Sequence, residues 1–400
     1  MMKHYDVIIV GGGLVGASAA LALHQLGKHI ALINAQAPTT KDARLFALNY
    51  RSCQFLAALN IWQDLVAYAA PIHAVHVSQQ RQFGVLRLRG DDIGLKALGY
   101  VIPARHIEAA LHQKISSLSN LTLFQPAHLM ELAQQENGAI AKVKTEQDFI
   151  NLHADLVIAA DGNHSTVRKL LAIPTEDIDY KQSALVSEIT LMRSHQNVAY
   201  ERLSMNGTIA LLPLPDIESS DQMVHRMACI WSADQEQIDE LMQASDDDFV
   251  QALKRKIGYR VGRIHQVLAR CTYPIQQKIA KNWALGNVLL IGNAAHNLHP
   301  MTAQGFNLAL FEIAILVQEL AKNFEKNAQE VLQGVESAVK SQRKNAFRIA
   351  QYVPAMLSNP WYQRLPHVVS PLVGLDLLTP VKRRFMHGML GRWPRVKSSL

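Results

Sequence analysis

The pattern GGGLVG at residues 11–16 constrains the fold of this 400-residue chain more than any other feature. It follows the apolar run YDVIIV and opens the helical run LVGASAALALHQLG, after which HIALIN forms a second apolar run. A strand, a glycine turn, a helix and a second strand between residues 5 and 34 predict one βαβ unit.

The three pattern glycines indicate what the turn binds. In a GxGxxG pattern Gly11 permits the tight turn, Gly13 lets the backbone approach a pyrophosphate, and Gly16 lets the helix pack closely on the strand. The start of the helix, at Leu14 and Val15, offers free N–H groups and the positive end of the helix dipole. A glycine-rich turn of another α/β protein would look similar, but in this context the pattern predicts a dinucleotide site.

The second strand of this unit ends at Asn34. Dinucleotide-binding chains usually place an acidic residue there, which contacts a ribose hydroxyl. An amide accepts and donates hydrogen bonds, without the added strength that a charge gives. We therefore expect Asn34 to lie at the adenosine end of the cofactor, with the acidic residue replaced.

Two further strand-to-helix turns carry polar residues. ADLVIAADG ends in Asp161 and Gly162, and a helix from about Ser165 follows it. LLIGNAAHNLHPMTAQGFNLAL has Asn293 after a strand and an apolar helix from about Gly305. Either turn alone also suits a connection without a ligand. All three turns in this order favour a cofactor site assembled from distant parts of the chain.

The pattern changes between about residues 180 and 275, where alternating runs such as SALVSEITL and VHRMACIW indicate an antiparallel sheet. We predict an α/β fold with a Rossmann-like dinucleotide-binding domain, an inserted antiparallel β-rich domain and C-terminal helices. The expected boundaries are 1–71, 91–178 and 276–340 for the first domain, 72–90 and 179–275 for the second, and 341–400 for the helical region with its basic tail.

Composition narrows the class of protein. Hydrophobic residues make up 49% of the chain, enough for a large core, and the formal net charge is +7. The three cysteines are far apart and show no CxxC spacing, which argues against a disulfide framework or a zinc site and favours a reducing compartment. The sequence shows neither a cleavable signal nor an apolar run long enough to span a membrane.

The chain resembles the single-component FAD-dependent aromatic hydroxylases, and among them the ubiquinone-biosynthesis hydroxylases. The three turns carry the resemblance, together with KDARLFAL, which contains Arg44, and LGYVIPARHIEAAL, which contains Arg105. YKQSALV, ERLSMNGTIALLPLP and NLHPMTAQGFNLAL continue it over about residues 4–391. Asn293 stands where the broad family has Asp. At this position the chain resembles the branch that hydroxylates 2-polyprenyl-6-methoxyphenol. Ala303 stands where the family commonly has Gly.

The resemblance implies a monooxygenase that uses FAD, with NAD(P)H as a transient co-substrate, and that transfers oxygen from O₂ through a flavin C4a-hydroperoxide to a polyprenylated phenol. It places His299 and Pro300 beside the flavin, whereas His296 is interpreted as a structural histidine and no metal is expected. The expected FAD contacts are Gly11, Gly13, Leu14, Val15, Gly16, Asn34, Arg44, Arg105, Asp161, Asn293, Gly305, Phe306 and Asn307.

Other functions remain open from the sequence. A flavin oxidase or reductase of the same fold and a non-catalytic flavin-bound subunit of a biosynthetic complex would share these motifs. A dehydrogenase that binds NAD alone would share the GxGxxG turn, but the motifs at Asp161 and Asn293 argue against it. Residues 381–400 contain six Lys or Arg and no acid, namely Lys382, Arg383, Arg384, Arg392, Arg395 and Lys397. This basic end predicts contact with anionic lipid or an acidic partner, or else a solvated tail. We expect a cytoplasmic protein, peripheral at the inner face of the membrane, without a nucleic-acid partner.

Overall fold

A computed structural model describes residues 3–36, 44–80, 82–204, 207–219, 222–299, 304–322, 327–358 and 371–390. The strands in this part of the chain are β1 Lys3–Val10, β2 Ile30–Ile33, β3 Leu45–Asn49, β4 Ala70–Ile72, β5 Ala74–Gln79, β6 Val85–Arg89, β7 Gly99–Pro103, β8 Leu121–Phe124, β9 Ala127–Gln135, β10 Gly138–Thr145, β11 Phe149–Ala159, β12 Thr175–Leu191, β13 Val198–Ser204, β14 Gly207–Ser219, β15 Gln222–Asp234, β16 Ile264–Val267, β17 Cys271–Ala280, β18 Ala284–Leu285, β19 Val288–Leu290 and β20 His296–Asn297. The helices are α1 Leu14–His24, α2 Tyr50–Ala58, α3 Trp62–Leu65, α4 Ala104–Ile115, α5 Thr166–Leu170, α6 Gln235–Gln243, α7 Asp246–Ile257, α8 Gly305–Lys322, α9 Ala328–Ser358, α10 Pro371–Leu377 and α11 Thr379–Leu390.

The first sheet is mainly parallel and has β1 near its centre. Its order is β18-β19-β11-β1-β2-β8, and β1 pairs in parallel with both β11 and β2. Ile8 and Ile9 of β1 are fully buried, as expected for a strand covered on both faces. In an open parallel sheet, ligands bind beyond the carboxyl ends of the strands. The turns after β1, β11 and β19 lie at that edge because these three strands are parallel neighbours.

The second sheet is mainly antiparallel, in the order β20-β17-β12-β15-β14-β13-β5-β6. The hairpin of β5 and β6 joins it because β5 pairs with β13 in parallel. Helices α6 and α7 cover one face, where Trp231 packs near Phe249 in a buried cluster. The parallel and antiparallel sheets together confirm the predicted α/β fold class.

A third, small sheet connects the two large ones. Its order is β3-β7-β4, and both pairings are antiparallel. Leu45 and Ala47 of β3 pack against a cluster that includes Leu214 and Ala228 of the second sheet. This contact positions the start of the second sheet over the edge where the three turns meet.

Some elements differ from the sequence-based boundaries. The long helical region expected from residue 303 contains two helices, α8 and α9, and α9 runs through residue 340 without interruption. Strand β12 likewise runs across residue 178 and pairs with β17 from Thr175 onwards. The end of the described chain returns to the second sheet, where Leu372 and Leu375 of α10 pack against β5, β6 and β13. None of the helices in the described ranges is long and apolar enough to cross a membrane.

Candidate flavin and substrate site

The GxGxxG turn lies between β1 and α1, as the pattern predicts. Gly11 has φ +101°, and a Cβ there would lie 2.5 Å from the Ala160 carbonyl oxygen. A Cβ on Gly16 would lie 1.8 Å from the Gly11 carbonyl oxygen. A Cβ on Gly13 would meet no protein atom within 4 Å. Packing within the chain therefore explains the glycines at 11 and 16, whereas open space at Gly13 suits the close approach of a ligand.

The first and third turns touch each other through Val15. Gly292 has φ +57°, and a Cβ there would lie 3.0 Å from a Val15 methyl group. Leu14 is the first residue of α1 and is buried in the core. The N-cap residue is Gly13, which has no side chain that could accept hydrogen bonds from the first N–H groups of the helix. The start of α1 can therefore donate to an anionic ligand that lies along these turns.

Asn34 supports the glycine turn with its amide. Its Oδ1 accepts from Gly12 N over 3.2 Å, and its Nδ2 donates to the Gln36 carbonyl oxygen (2.7 Å) and to Gln125 Oε1 (3.0 Å). A carboxylate in this place could not donate to these two oxygens. The local partners thus explain an amide at a position where an acid is usual, and the contact with ribose stays a prediction.

Asp161 lies at the second turn and uses one carboxylate oxygen to cap α5. Its Oδ2 accepts from Thr166 N over 2.6 Å and from Val167 N over 3.1 Å. Its Oδ1 is buried and has no hydrogen-bond partner among the described residues. A buried carboxylate oxygen without a partner is costly, so this atom indicates a missing hydroxyl or N–H donor.

Arg168 joins the second and third turns, although the sequence-based site did not include it. The side chain is buried, and its two terminal nitrogens donate to the Ala294 carbonyl oxygen (2.8 Å) and the Asn163 carbonyl oxygen (2.5 Å). His112 is a second residue that the sequence did not reveal, since its Nε2 lies 3.0 Å from the Gly12 carbonyl oxygen. Arg168 lies in the helix that follows the second turn, but its bond to Ala294 spans 126 positions, and no local pattern marks His112, whose partner is 100 positions away.

A buried cluster of charged side chains supports the third turn. Glu312 of α8 contacts His296 Nε2 (2.7 Å) and Arg343 Nε (2.5 Å), and its second oxygen accepts from Gly292 N at 3.4 Å. Burial alone would raise the pKa of Glu312, but Arg343 and His296 lower it to about 2. Glu312 is therefore ionised, and His296 lies in the structural role that its sequence context predicts. Asn293 is exposed on the other side of the turn.

His299 lies at the end of the described part of this loop. Its side chain is 1% exposed, and its ring packs edge-on against Tyr180 of β12 at 4.8 Å between centroids. Burial lowers the pKa of His299 to about 4, so the imidazole is neutral near pH 7. Pro300, predicted beside the flavin, and Ala303 lie outside the described residues.

The start of α8 combines open space with aromatic packing. A Cβ on Gly305 would meet no atom of the described residues within 4 Å, so these residues leave room for a ligand at its backbone. The ring of Phe306 packs on Phe46 of β3 at 5.0 Å between centroids. The side chain of Phe306 therefore joins α8 to β3. Its predicted contact with FAD would come from its backbone N–H group in the first turn of α8.

Asn307 also fastens α8 to β3. Its Oδ1 accepts from Asn49 N (2.9 Å) and Ser52 Oγ (2.7 Å), and its Nδ2 donates to the Ala47 carbonyl oxygen (2.9 Å). These protein groups engage both ends of the side-chain amide. The predicted FAD contact of Asn307 would therefore come from its backbone N–H in the first turn of α8.

Arg44 and Arg105 lie on neighbouring elements at the domain contact. Arg44 is exposed, its carbonyl oxygen accepts from Ala104 N at 2.9 Å, and its guanidinium lies 5.8 Å from the Phe46 ring centre. Arg105 is exposed in the first turn of α4 and lines a cleft of about 460 Å³ between α4 and the second sheet. A guanidinium binds phosphate through paired N–H groups, which is the chemistry that the predicted contacts of Arg44 and Arg105 with FAD require.

An apolar cavity of about 180 Å³ lies between the start of α8 and the inner face of α11. A dry cavity of about 150 Å³ holds one benzene ring, so this space suits a single aromatic ring. Its lining residues are Ala47, Leu48, Asn49, Ile72, Val75, Leu88, Leu98, Gly99, Gln304, Asn307, Met386, Met389 and Leu390.

The residues fit FAD at each end. The glycine turn and the start of α1 suit its pyrophosphate, the unpartnered Asp161 oxygen suits a hydroxyl donor, and the open backbone at Gly305 suits a flat ring. The fold and this site define an FAD-dependent aromatic-ring monooxygenase. The chain belongs to the family described as FAD binding domain, whose model matches residues 4–347.

Named relatives are similar over most of their length. The chain is 26% identical to the ubiquinone hydroxylase UbiL of Rhodospirillum rubrum, covering 97% of this chain and 90% of the relative. It is 24% identical to the 3-demethoxyubiquinol 3-hydroxylase of Escherichia coli, covering 79% of each. An uncharacterized protein of Synechocystis is 29% identical over 98% of this chain and 95% of its own. The predicted resemblance to ubiquinone-biosynthesis hydroxylases is thereby confirmed.

Solved structures agree on the fold. The p-nitrophenol 4-monooxygenase of Pseudomonas putida superposes with a TM-score of 0.77 at 16% identity, over 99% of this chain and 100% of that one. A probable FAD-dependent monooxygenase of Pseudomonas aeruginosa superposes with a TM-score of 0.75 at 19% identity, over 90% of this chain and 98% of that one.

Proposed function

We propose that this enzyme hydroxylates the ring of a polyprenylated phenol in ubiquinone biosynthesis, with NAD(P)H as electron donor and O₂ as oxygen source. The observation that carries the proposal is the ring-sized apolar cavity beside the start of α8. Bound FAD supplies the redox chemistry, because it accepts a hydride and activates O₂ for attack on an electron-rich ring carbon. The chain's own residues bind the cofactor and the substrate, orient them and exclude water.

The predicted cofactor contacts divide by position. The turn at Gly11–Gly16 and the guanidinium groups of Arg44 and Arg105 would hold the diphosphate, with Asp161 and Asn293 toward the sugar alcohol chain. The first N–H groups of α8, from Gly305 to Asn307, would face the ring. A helix N-terminus stabilises negative charge, so it favours the reduced anionic flavin.

The cavity supports an aromatic substrate of low polarity. Ile72, Val75 and Leu88 give it apolar walls, and Met386 of α11 adds a further apolar side chain to its lining. Such walls exclude water, which would otherwise release peroxide without oxygen transfer. His299, which is buried and neutral, would act by packing and hydrogen bonding at the loop rather than by carrying a charge.

The same proposal covers partners and location. A polyprenylated phenol dissolves in the bilayer, so the enzyme would act as a cytoplasmic protein at the inner membrane face, within a complex that passes such intermediates. The basic C-terminal residues Lys382–Lys397 would supply the attraction to anionic lipid headgroups. We keep residues 72–90 grouped with 179–275 in one domain, because the hairpin of β5 and β6 joins the second sheet through β13.

Isotope labelling tests the reaction. Purified holoprotein is given NADPH, ¹⁸O₂ and a short-tailed 2-prenyl-6-methoxyphenol, and we expect one labelled oxygen in the product ring. Label that comes from water, or peroxide release without product, would instead indicate an oxidase or a reductase. A Val75→Phe variant, which fills the cavity, should keep FAD and lose product. Val66→Phe, on an exposed residue outside the cavity, is the matched control.

A further inference from the structure

Helices α10 and α11 expose four large apolar side chains close together. Leu377, Leu378, Val381 and Phe385 are 74%, 56%, 50% and 37% exposed, and we call them the apolar ridge. Leu378, Val381 and Phe385 follow at intervals of three and four residues, so they share one face of the helix. Single exposed apolar residues are ordinary on protein surfaces, but a contiguous group of them marks an interaction site.

Other side chains of α11 attach the helix to the protein. Met386 is 3% exposed and lines the apolar cavity. The Lys382 ammonium lies 3.0 Å from Asp92 Oδ2, and Asp376 accepts from Arg87 N over 2.8 Å. The ridge therefore projects outward from a helix whose orientation is set by ion pairs and by packing.

The ionisable side chains of α11 are all basic, and the nearby Asp376 of α10 is paired with Arg87. Residues 379–390 contain Lys382, Arg383, Arg384 and His387 and no acidic residue. Arg384 and His387 line a groove of about 710 Å³ together with Arg51 of α2. An apolar face flanked by basic residues is the pattern of helices that lie in the interface of an anionic bilayer.

The observations favour a bilayer over a second copy of the chain. A symmetric dimer would place this face against itself, so Arg383 and Arg384 of one copy would approach those of the other. Anionic phospholipids instead supply apolar depth for the ridge and negative headgroups for the arginines. Met386 and Met389 of the same helix line the cavity, so docking of α11 brings the cavity close to the membrane.

We propose that the apolar ridge and its flanking arginines form a docking surface for anionic phospholipid bilayers, which delivers a membrane-dissolved phenol to the cavity beneath Met386. The docking surface is argued from exposure and charge alone, whereas delivery of the substrate rests on the proposed function. The two parts are therefore tested separately.

Vesicle sedimentation tests the docking surface with the full-length holoprotein. Vesicles of phosphatidylcholine with phosphatidylglycerol should sediment the wild type, and vesicles of phosphatidylcholine alone should sediment much less. Leu378→Gln with Val381→Gln should weaken binding about tenfold, and Arg383→Gln with Arg384→Gln should remove the lipid selectivity. The matched control is Met192→Gln with Tyr259→Gln, which alters residues 61% and 85% exposed elsewhere. All variants should keep FAD and the wild-type melting temperature.

Equal vesicle binding by the ridge variant and the wild type would overturn the proposal. So would a wild-type dimer, seen by sedimentation velocity, that the ridge substitutions dissociate. For delivery, the ridge variant should hydroxylate a water-soluble methoxyphenol at the wild-type rate and lose turnover only with phenol carried in vesicles. If the wild type turned over neither phenol, the proposed function would fail while the vesicle result would still decide the docking surface.

Discussion

Arg168 donates a hydrogen bond to the carbonyl oxygen of Ala294 over 2.8 Å, across 126 positions of sequence. The same guanidinium also bonds the Asn163 carbonyl oxygen, so one buried side chain joins the turns after β11 and β19. The relative position of Asp161 and Asn293, both predicted to contact FAD, therefore depends on a residue that need not touch the cofactor.

Arg168→Lys should weaken this connection. A lysine ammonium cannot reproduce the planar fork that reaches two carbonyl oxygens, and a lost bond to a charged group costs about 1.5–3 kcal/mol. We expect the dissociation constant of FAD to rise about tenfold or more, with a lower melting temperature. Fluorescence titration of FAD-free protein measures the dissociation constant. Lys169→Gln, on the exposed neighbouring residue, is the control. Unchanged FAD affinity in Arg168→Lys would remove Arg168 from the site.

Gly13→Glu and Gly16→Ala should fail for different reasons. Gly13 has φ −71° and open space at its Cβ, so Gly13→Glu should fold and lose FAD, because its side chain occupies the pyrophosphate position. In Gly16→Ala the new Cβ meets the Gly11 carbonyl oxygen, so even the FAD-free protein should be destabilised. Melting curves of FAD-free protein and the flavin absorbance of purified protein separate the two. Stoichiometric FAD in folded Gly13→Glu would contradict the assignment.

Gly305→Val should impair the ring end of the site while leaving the pyrophosphate end intact. The open space at this position lets the variant fold, but a branched side chain would push the flavin ring away. We expect weaker FAD binding and hydroxylation lost more than thermal stability, with NAD(P)H consumed and peroxide released. Gly388→Val adds the same side chain in open space on α11 and should stay coupled. If Gly305→Val kept the wild-type rate and coupling, the loop before α8 would only connect a strand to a helix and would not contact the flavin.

His299 should make stability depend on pH. Burial lowers its pKa from 6.5 to about 4, so the unfolded chain binds a proton more readily than the folded one. The stabilisation is complete above pH 6.5 and is lost as the pH falls toward 4, by up to about 3 kcal/mol. Denaturant unfolding of FAD-free protein should show a shallower decline for His299→Gln, whereas exposed His29→Gln should keep the wild-type slope. Parallel declines for wild type and His299→Gln would be inconsistent with a buried, neutral His299.

Local patterns were sufficient for the fold class and for the three turns. The GxGxxG pattern, the alternating runs after residue 180 and the apolar strands before Asp161 and Gly292 each reflect short-range chemistry, namely turn geometry and the period of a strand. These are properties of neighbouring residues, so local patterns predicted an α/β chain with a dinucleotide site. The family resemblance implied that the dinucleotide is FAD, which the family match confirms.

Tertiary structure alone decided which side chains serve the scaffold and which face a ligand. Asn307 fits a cofactor contact by its place at a helix start, yet its amide is engaged by Asn49, Ser52 and Ala47. Arg168 lies in the predicted helix after the second turn, but its bond to the Ala294 carbonyl oxygen forms only when β11 and β19 pair. Hydrogen bonds across such separations depend on the packed arrangement of both sheets, and no local period of the sequence encodes that arrangement.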